Sequence, residues 1–245
     1  MKVVILAAGV GSRLMPLTRN TPKSLIDLGN GYSLLELQLR SIGEGGIHDI
    51  VLITGYKSSQ IEAKIQFYSD FSFRIIFNPF YRMTNNLATA WLGLKDLSPP
   101  LILVNGDDLF KADVIANLAK STSEITMVIS RKEDYDDDDM KVVTEGPLVR
   151  DVGKDIPPNK ANGESIGMIL FRGQGLKAYQ ERLSQMVRDE DNLHLFYLAA
   201  LRQMMHEDFR ITYSECSKDD WAEVDFHPDL EEMRTGLLAN LPTWE

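Results

Sequence analysis

The chain has 245 residues, of which 44% are hydrophobic and 25% are charged, a composition ordinary for a globular protein long enough to bury a full core. Its formal net charge of -10 argues against general nucleic-acid binding, because neutralising phosphates along a duplex requires a basic face. The single cysteine, Cys216, excludes an intrachain disulfide and a cysteine-rich zinc site, and no apolar run reaches the roughly 18–20 residues of a membrane span. We expect a soluble, cytoplasmic protein with no membrane or nucleic-acid partner.

The segment Val3–Lys23 begins as a short buried strand and contains two separated cations. Small residues follow the apolar run Val3–Leu6 and allow a ligand to approach the backbone N–H groups closely. They are Ala7, Ala8, Gly9, Gly11 and Ser12. Arg13 and Lys23 supply positive charge, so the segment predicts a phosphate-binding loop, with a plain structural turn as the alternative. The spacing fits neither a P-loop, which needs Gly-Lys-Ser/Thr, nor a dinucleotide fingerprint, whose third glycine would stand at Leu14.

The first half of the chain alternates between strand and helix periodicity, which predicts an α/β fold with a largely parallel sheet. Apolar runs predict strands at Val3–Leu6, Ile50–Thr54, Arg74–Phe77, Leu101–Val104 and Ile125–Ser130. Segments between them predict helices at Leu34–Ile42, Ser58–Tyr68, Asn86–Leu97 and Val114–Lys120. We expect residues 1–130 to form a Rossmann-like core, with helices flanking the sheet.

After Ser130 the sequence becomes acidic and then β-rich. Four aspartates at 136–139 could hold a divalent cation, but consecutive side chains of an extended segment alternate in direction, which favours a solvated turn. Short strands are predicted at Lys141–Thr144, Leu148–Val152 and Ser165–Phe171, and a last pair of strands at Arg210–Glu215 and Ala222–Asp225. Helices are predicted from about Leu176 to Val187, from Leu193 to Met205, and from near Pro228. No linker is evident, so we expect one domain, 1–245, in which residues 131–245 form a small β-rich elaboration.

A carboxylate follows the apolar strand Leu101–Val104. The run ends in Asn-Gly-Asp-Asp, which places Asp107 at the carboxyl end of a central strand, where open α/β sheets bind their ligands. Mg²⁺ usually binds through one or two carboxylates together with nucleotide phosphates, so Asp107 is a candidate magnesium ligand. The alternative is an aspartate that caps the next turn, a role that Asp108 fills equally well.

The first-loop motif resembles the signature of the sugar-phosphate nucleotidyltransferases. Leu-Ala-Ala-Gly-x-Gly-Ser-Arg-Leu is followed by Pro-Lys-Ser-Leu, and the later Glu-Val-Asp at 223–225 resembles the family's second metal motif, with Asp225 at the ligand position. The resemblance implies Mg²⁺ held by Asp107 and Asp225. It also implies transfer of a nucleoside monophosphate, in which Arg13 grips the triphosphate and Lys23 bridges the α-phosphate and the acceptor. No general base is required, because a phosphate acceptor with a second pKa near ~6 is already largely deprotonated at neutral pH.

The donor nucleotide is inferred from a second resemblance. Asn-Pro-x-Tyr followed by Thr-Asn-Asn-Leu-Ala-Thr, within residues 78–89, resembles the cytidylyltransferases of the phosphocholine and phosphonate type, which implies CTP as the donor. In that family, the first loop and residues after the second and third strands surround the nucleotide. The later residues here are Gly55, Tyr56, Thr84, Asn85 and Asn86. At a helix start, the threonine and the asparagines could instead serve as an N-cap.

The same resemblance implies that residues 1–130 form the nucleotide-binding core and that residues 131–245 supply the acceptor site and the second metal ligand. Asn-Gly-Glu-Ser-Ile-Gly-Met matches a strand of the phosphonate, phosphocholine and polyol-phosphate enzymes. Lys154 is then available for the acceptor's anion, or is a surface residue, and Glu164 and Ser165 are available for the acceptor's polar or cationic end. Trp221 and Tyr197 are candidates for an aromatic wall, with core positions as the alternative and the core favoured for Tyr197.

The expected function is the transfer of CMP from CTP to a small phosphorylated or phosphonate acceptor, with release of pyrophosphate. One alternative is the same chemistry with UTP, dTTP or GTP and a sugar 1-phosphate. The other is a catalytically inactive nucleotide-binding regulatory module, against which the combined presence of Arg13, Lys23, Asp107 and Asp225 argues. The acceptor's identity and the oligomeric state, with a homodimer among the options, are left open.

Overall fold

The computed structural model describes residues 1–29, 31–225, 228–229, 233 and 236–238. The first half contains β1 (Lys2–Ala7), α1 (Leu34–Glu44), β2 (Asp49–Thr54), α2 (Ser58–Ile65), β3 (Ser72–Phe77), α3 (Asn86–Leu94), β4 (Leu101–Asn105), β5 (Asp108–Phe110), α4 (Ala112–Leu118) and β6 (Ile125–Ser130). The second half contains β7 (Lys141–Glu145), β8 (Leu148–Gly153), β9 (Gly163–Phe171), α5 (Gly173–Met186), α6 (Leu198–His206), β10 (Thr212–Cys216) and β11 (Trp221–Glu223). Pro228 and Asp229 are helical, and most of the helix predicted from near Pro228 lies outside the described residues.

One mixed sheet contains all the described strands except β5 and β11, in the order β3-β2-β1-β4-β9-β6-β10-β8-β7. β1 pairs in parallel with β2 and β4, and β2 pairs in parallel with β3, as the periodicity of the first half predicts. β9 lies antiparallel between β4 and β6 and joins the two halves of the chain in one sheet. Within this sheet, every described strand except β8 and β9 runs in the same direction. The predicted α/β fold with a mostly parallel sheet is confirmed.

Helices cover both faces of the large sheet, which explains the unbroken apolar run in β1. Val4 packs in a layer with α3, α5 and α6, whereas Val3 and Ile5 pack in a second layer with α1 and α4. A strand buried on both faces needs apolar residues at every position rather than at alternate ones. Burying each such side chain stabilises the folded state by roughly 1.5–3 kcal/mol. The two layers therefore hold the strands, and the ends of the strands that carry the loops, in place.

The helix predicted from Leu193 begins later in the structure. A 3₁₀ turn covers Glu190–His194, and α6 starts at Leu198. The carbonyl groups of Leu193 and Leu195 accept hydrogen bonds from the Asn85 and Leu87 N–H groups at the start of α3, at 2.8 and 3.3 Å, so the segment docks on α3 instead of continuing a helix. In the part of the chain that the structure describes, no helix is long and apolar enough to cross a membrane.

The two last strands do not pair with each other, contrary to the prediction of a last pair. β10 joins the large sheet between β6 and β8, whereas β11 pairs antiparallel with the short strand β5, with Glu223 opposite Asp108. The Val224 N–H donates to the Asp107 carbonyl oxygen at 3.0 Å and extends this contact. The two-stranded sheet therefore brings residues near 225 back to the carboxyl end of β4.

Gln38 supports the turn between β4 and β5 from α1. Its side chain is fully buried, and Nε2 donates to the carbonyl oxygens of Asn105 at 2.8 Å and Asp108 at 2.5 Å. Buried carbonyl groups need such donors, because an unpaired buried polar group destabilises the folded state. One amide thus fixes both sides of a turn that carries Asp107.

Replacing Gln38 by methionine removes the amide that donates to both carbonyl oxygens and leaves each oxygen without this hydrogen bond. We expect Gln38→Met to lower the free energy of unfolding by about 1–3 kcal/mol, measured by urea denaturation. Gln60→Met is the matched control, because Gln60 is exposed and its amide donates to the Asn20 carbonyl at 2.9 Å. The control should change stability by no more than about 0.5 kcal/mol, and equal losses in the two variants would contradict the role of Gln38.

Candidate active site

A cleft of about 400 Å³ opens at the carboxyl ends of β1 and β4. This is the edge at which open α/β sheets bind ligands, and the volume is typical of a small-molecule site. Thirteen residues predicted from the sequence border it: Ala7, Gly9, Gly11, Ser12, Arg13, Lys23, Asn85, Asn86, Asp107, Lys154, Glu164, Ser165 and Asp225. Residues from both halves of the chain therefore meet at one site.

The first loop depends on glycine for its conformation. Gly11 adopts the left-handed region with a φ of 65°, and the Thr18 hydroxyl donates to its carbonyl oxygen at 2.8 Å. A Cβ at Gly11 would lie 3.0 Å from Lys23 Cβ and from Thr18 Cγ2. The missing side chain thus lets Lys23 pass close beside the loop on its way into the cleft.

The centre of the cleft is a charge cluster built around Lys23. The Nζ atom of Lys23 lies 2.7 Å from Asp107 Oδ2 and 2.6 Å from Asp225 Oδ1. Arg13 Nη1 lies 2.9 Å from the other oxygen of Asp225. Burial alone would lower the pKa of Lys23, but the two carboxylates outweigh this effect and raise it above its ordinary value. Burial alone would raise the pKa of Asp225, but Lys23 and Arg13 outweigh this effect and lower it below its ordinary value. Lys23 and Asp225 are therefore both charged near neutral pH.

Backbone contacts at the end of β4 place Asp107 in this cluster. The Gly106 N–H donates to the Leu6 carbonyl oxygen at 3.0 Å, and a Cβ at Gly106 would lie 2.4 Å from that oxygen. Only glycine therefore allows β4 to turn so close to β1. On the opposite side, the Asp225 N–H donates to Asp229 Oδ2 at 2.7 Å, which fixes the start of the segment after β11.

Glu223 is a third carboxylate at the cluster and is not among the residues predicted from the sequence. Oxygen atoms of Asp107, Glu223 and Asp225 lie within 4.8 Å of one another. Glu223 keeps an exposed surface, but limited hydration of its carboxyl group and the charges of Asp107 and Asp225 raise its pKa to about 8. The signal that could have found it is the Glu-Val-Asp spacing, because residues i and i+2 of an extended segment share a face. Three carboxylates supply the hard oxygen ligands that Mg²⁺ prefers, so these residues fit such an ion.

Asp108, the residue after Asp107, takes no part in the ion pairs of this cluster. It is buried, and neither of its carboxyl oxygens has a hydrogen-bond partner among the described residues. Burial and the negative charges of Asp107 and Glu223 raise the pKa of Asp108 well above its ordinary value. Its surroundings therefore favour the protonated form of Asp108, and its side chain caps no turn among the described residues.

Residues from the second half form the opposite wall of the cleft. Lys154 Nζ lies 3.3 Å from Asp138 Oδ1 and 5.6 Å from the centre of the Phe196 ring. Glu164 lies on β9, and its carboxylate is 3.1 Å from Lys132 Nζ. Burial raises the pKa of Glu164 to about 7, with a further contribution from neighbouring Asp139 and an opposing one from Lys132. The wall therefore combines a lysine with a carboxyl group that titrates near neutrality.

The acidic run folds as a turn, but the prediction that it is solvated is wrong for Asp139, which is buried and lies 2.6 Å from Lys132 Nζ. Asp136 Oδ1 accepts the N–H groups of Asp138 and Asp139 at 2.8 and 3.1 Å, and the Asp136 N–H donates to Asp139 Oδ2 at 2.7 Å. The fully buried Lys141 donates Nζ to the Asp136 carbonyl oxygen at 2.5 Å. The aspartates are thus used to shape the turn that presents Asp138 to the cleft.

Two of the predicted nucleotide-binding residues support the first loop from behind. A Cβ at Gly55 would lie 2.6 Å from the Ala8 carbonyl oxygen, and the Tyr56 N–H donates to that oxygen at 3.0 Å. The buried Tyr56 hydroxyl donates to the Arg19 carbonyl oxygen at 2.8 Å. Both residues hold the loop, and neither borders the cleft.

Other predicted residues lie in neighbouring spaces. Ala8 and Thr84 border an adjoining basin of about 440 Å³, together with Arg82 and His194, which were not predicted. Trp221 does not line the cleft and borders a neighbouring cavity of about 500 Å³, which shares Glu164 and Glu223 with the cleft.

Asn85 and Asn86 border the cleft, but part of their hydrogen-bonding capacity is used inside the protein. Asn85 is the N-cap of α3, as the alternative interpretation predicts, because its Oδ1 accepts the Asn86 N–H at 2.7 Å. Its Nδ2 donates to the His194 carbonyl oxygen at 3.1 Å. Asn86 Oδ1 accepts the Tyr197 N–H at 2.9 Å.

Comparison with known proteins supplies the family. Residues 2–153 match the family model described as nucleotidyl transferase. Over 122 residues, 50% of this chain and 52% of the relative, the chain is 37% identical to a choline-phosphate cytidylyltransferase of Streptococcus pneumoniae, so this match spans about half of that enzyme's length. It is 25% identical over 252 residues to a CTP:phosphoglutamine cytidylyltransferase of Campylobacter jejuni, a match that covers 94% of this chain and 98% of the relative.

A solved structure shares the fold along the whole chain. The inositol-1-phosphate CTP transferase from T. maritima superposes with a TM-score of 0.80 at 18% identity, covering 98% of this chain and 97% of its own. The family match covers more than half of the chain and includes the first loop, Lys23 and Asp107. The chain therefore belongs to the nucleotidyl transferase family.

Proposed function

We propose that this protein transfers CMP from CTP to a small phosphorylated or phosphonate acceptor and releases pyrophosphate. One observation carries the proposal: Arg13, Lys23, Asp107 and Asp225 converge in the cleft with nitrogen–oxygen distances between 2.6 and 2.9 Å. A catalytically inactive module would have no chemical reason to assemble these four side chains. The cytidylyltransferases among the relatives support CTP as the donor.

Arg13 and Lys23 are proposed to hold the reacting phosphates. Both cations lie at the mouth of the phosphate-binding loop, where they can exchange carboxylate oxygens for phosphate oxygens. Arg13 would hold the triphosphate, and Lys23 would contact the α-phosphate and the attacking oxygen of the acceptor. A direct displacement at the α-phosphorus requires positioning and charge neutralisation, so the protein need not supply a nucleophile.

We propose that the reaction depends on magnesium, with Asp107 and Asp225 as ligands and Glu223 beside them. When bound, the ion supplies positive charge that polarises the phosphoryl group and stabilises the leaving pyrophosphate. The Lys23 ammonium lies between the same two carboxylates, so it is held within reach of a phosphate bound at this place.

The remaining contacts divide between the two substrates. Gly9 and the neighbouring backbone of the first loop would face the nucleotide, with Thr84 and Asn85 at the adjoining basin. Lys154 would bind the acceptor's anion, and Glu164 and Ser165 its polar end. Because β9 belongs to the large sheet and also borders the cleft, we propose that the second half acts as part of the same catalytic domain. Trp221 is left out of the acceptor site because it does not border the cleft.

Pyrophosphate release with four nucleotides tests the proposal. CTP, UTP, dTTP and GTP are compared in the presence of Mg²⁺ with phosphocholine, aminoethylphosphonate, an inositol phosphate and a hexose 1-phosphate as acceptors. We expect CTP to exceed the other nucleotides by about tenfold or more in kcat/KM, because a base-specific site leaves polar groups unpaired with the wrong base. A tenfold preference for UTP or GTP would reject the assignment of the donor.

Replacing Lys23 by alanine tests its catalytic role. We expect Lys23→Ala to lower kcat by about 10²–10³-fold, since it removes a preorganised positive charge from the reacting phosphate. Circular dichroism and thermal unfolding would show that the variant is folded. Lys2→Ala is the matched control, because Lys2 forms a comparable 2.6 Å ion pair with Asp49 at the opposite end of β1. Undiminished pyrophosphate release by Lys23→Ala would reject the proposed role of Lys23.

The pKa of Glu164 generates a prediction on pH. Burial raises this pKa from 4.5 to about 7, so the folded protein binds the proton more tightly than the unfolded chain. The stabilising contribution of protonated Glu164 is complete below 4.5 and is lost as the pH rises through about 7. Relative to Glu164→Gln, the melting temperature of the wild-type protein should therefore fall between pH 5 and pH 8, roughly the window set by this shift. A difference in melting temperature between wild type and Glu164→Gln that stays constant across that range would contradict the prediction. Glu215→Gln is the control, because Glu215 forms an exposed ion pair with Arg131.

A further inference from the structure

Tyr197 is a buried tyrosine whose hydroxyl reaches the strand that carries Asp107. Its side chain is 1% exposed, and the hydroxyl donates to Asn105 Oδ1 at 3.0 Å, with the Gly167 carbonyl oxygen at 3.3 Å. Asn105 is the last residue of β4 and stands two residues before Asp107. We propose that Tyr197 is a positioning residue that orients the Asp107 carboxylate through Asn105. The inference rests on the proposed function of the cleft and adds a residue to its supporting structure.

The position of the Tyr197 hydroxyl is fixed by two other helices. Its backbone N–H donates to Asn86 Oδ1 at 2.9 Å, at the start of α3. Its carbonyl oxygen accepts the hydroxyl of Tyr179, on α5, at 3.0 Å. The ring packs in the hydrophobic layer formed by α3, α5 and α6. The N–H, carbonyl and hydroxyl of Tyr197 are thus all hydrogen-bonded, and Tyr197 links this layer rigidly to the end of β4.

Asn105 receives this contact at a place where its amide has little freedom. Its backbone is paired with Leu6 of β1, and its carbonyl accepts the Gln38 amide. Its side chain packs on Gly167, which has a φ of 72°, and a Cβ at Gly167 would lie 2.0 Å from Asn105 Nδ2. The amide therefore occupies space that only a glycine leaves open, and the Tyr197 hydroxyl determines how the amide is rotated there.

Loss of the hydroxyl would be transmitted to Asp107 through this crowded turn. The same hypothetical Cβ at Gly167 would lie 2.8 Å from Asp108 Oδ2, so the Asn105 amide and the buried Asp108 carboxyl group adjoin the same backbone atom. An Asn105 amide without its donor would turn towards Asp108 or towards the cleft. Either movement displaces the short turn 105–108 and shifts the Asp107 carboxylate relative to Lys23 and Asp225.

A double-mutant cycle on Tyr197 and Asn105 tests the proposal. Mn²⁺ binding is measured by electron paramagnetic resonance, with and without CTP, for Tyr197→Phe, Asn105→Ala and the double variant. We expect each single variant to weaken Mn²⁺ binding and to lower kcat by about tenfold, since residues that orient metal ligands commonly have effects of this size. KM for CTP should change by less than about twofold, because uniform substrate binding is not removed. The double variant should resemble Asn105→Ala alone, because both substitutions remove the same Tyr197–Asn105 hydrogen bond.

Tyr179→Phe is the matched control. It also removes one buried tyrosine hydroxyl, but that hydroxyl contacts the Tyr197 carbonyl and lies one step further from Asp107. Thermal unfolding should show similar destabilisation in the two phenylalanine variants. Mn²⁺ binding should weaken several-fold more in Tyr197→Phe, because Tyr179→Phe keeps the Tyr197 hydroxyl and its hydrogen bond to Asn105. Equal effects of the two variants on Mn²⁺ binding, additive effects of Tyr197→Phe and Asn105→Ala, or no Mn²⁺ binding by the wild-type protein would overturn the proposal. If the proposed donor specificity is wrong, the comparison of the four nucleotides will show it separately. The double-mutant cycle measured by Mn²⁺ binding could still be interpreted.

Discussion

The Lys23 ammonium, held between Asp107 and Asp225, is the interaction on which the arrangement of the site depends. A partly buried charge is tolerated only when opposite charges compensate its lost hydration, so the three side chains require one another. Their sequence separations are 84 and 202 residues, and the Arg13 contact with Asp225 spans 212 residues. The cluster therefore forms only when the first loop, the end of β4 and the segment after β11 are all in their native positions.

Two different strand pairings bring the residues of the cluster together. Parallel pairing of β1 with β4 places the first loop and Asp107 at the same edge of the sheet, as the rule for open α/β sheets predicts. Asp225 arrives by another route, because β11 pairs with β5 and the Val224 N–H bonds to the Asp107 carbonyl oxygen. The antiparallel strand β9 then carries Glu164 and Ser165 to the opposite side of the cleft. The site is thus assembled by backbone pairing, and side-chain charges complete it.

The sequence predicts those features that are encoded locally. Strands β1, β2, β4 and β6 appear as apolar runs because helices cover both of their faces. Arg13, Lys23 and Asp107 are recognisable by residue type and by their position after a strand. The strand β5 is not predictable in this way, since its three residues form a strand only by pairing with β11, far along the chain. The positions of Tyr56 behind the first loop and of Trp221 outside the cleft are not predictable from the sequence either. Tertiary packing decides whether an aromatic side chain faces a cleft or the protein interior. For Tyr197 the sequence favours the core, with an aromatic wall of the acceptor site as the alternative. The structure buries its side chain, places it at the border of the cleft as well, and adds the hydrogen bond to Asn105.

The charges of the cluster also constrain how a triphosphate can bind. Arg13 and Lys23 face the carboxyl groups of Asp107, Glu223 and Asp225. Even with Glu223 protonated, two cations then balance two carboxylates, so the cluster has no net positive charge to attract a polyanion. A triphosphate that takes Arg13 and Lys23 as partners leaves Asp107 and Asp225 without theirs, and uncompensated carboxylates at that place are costly. A divalent cation that accompanies the nucleotide restores the balance, which is the physical reason that the proposed reaction needs both the two basic residues and Mg²⁺.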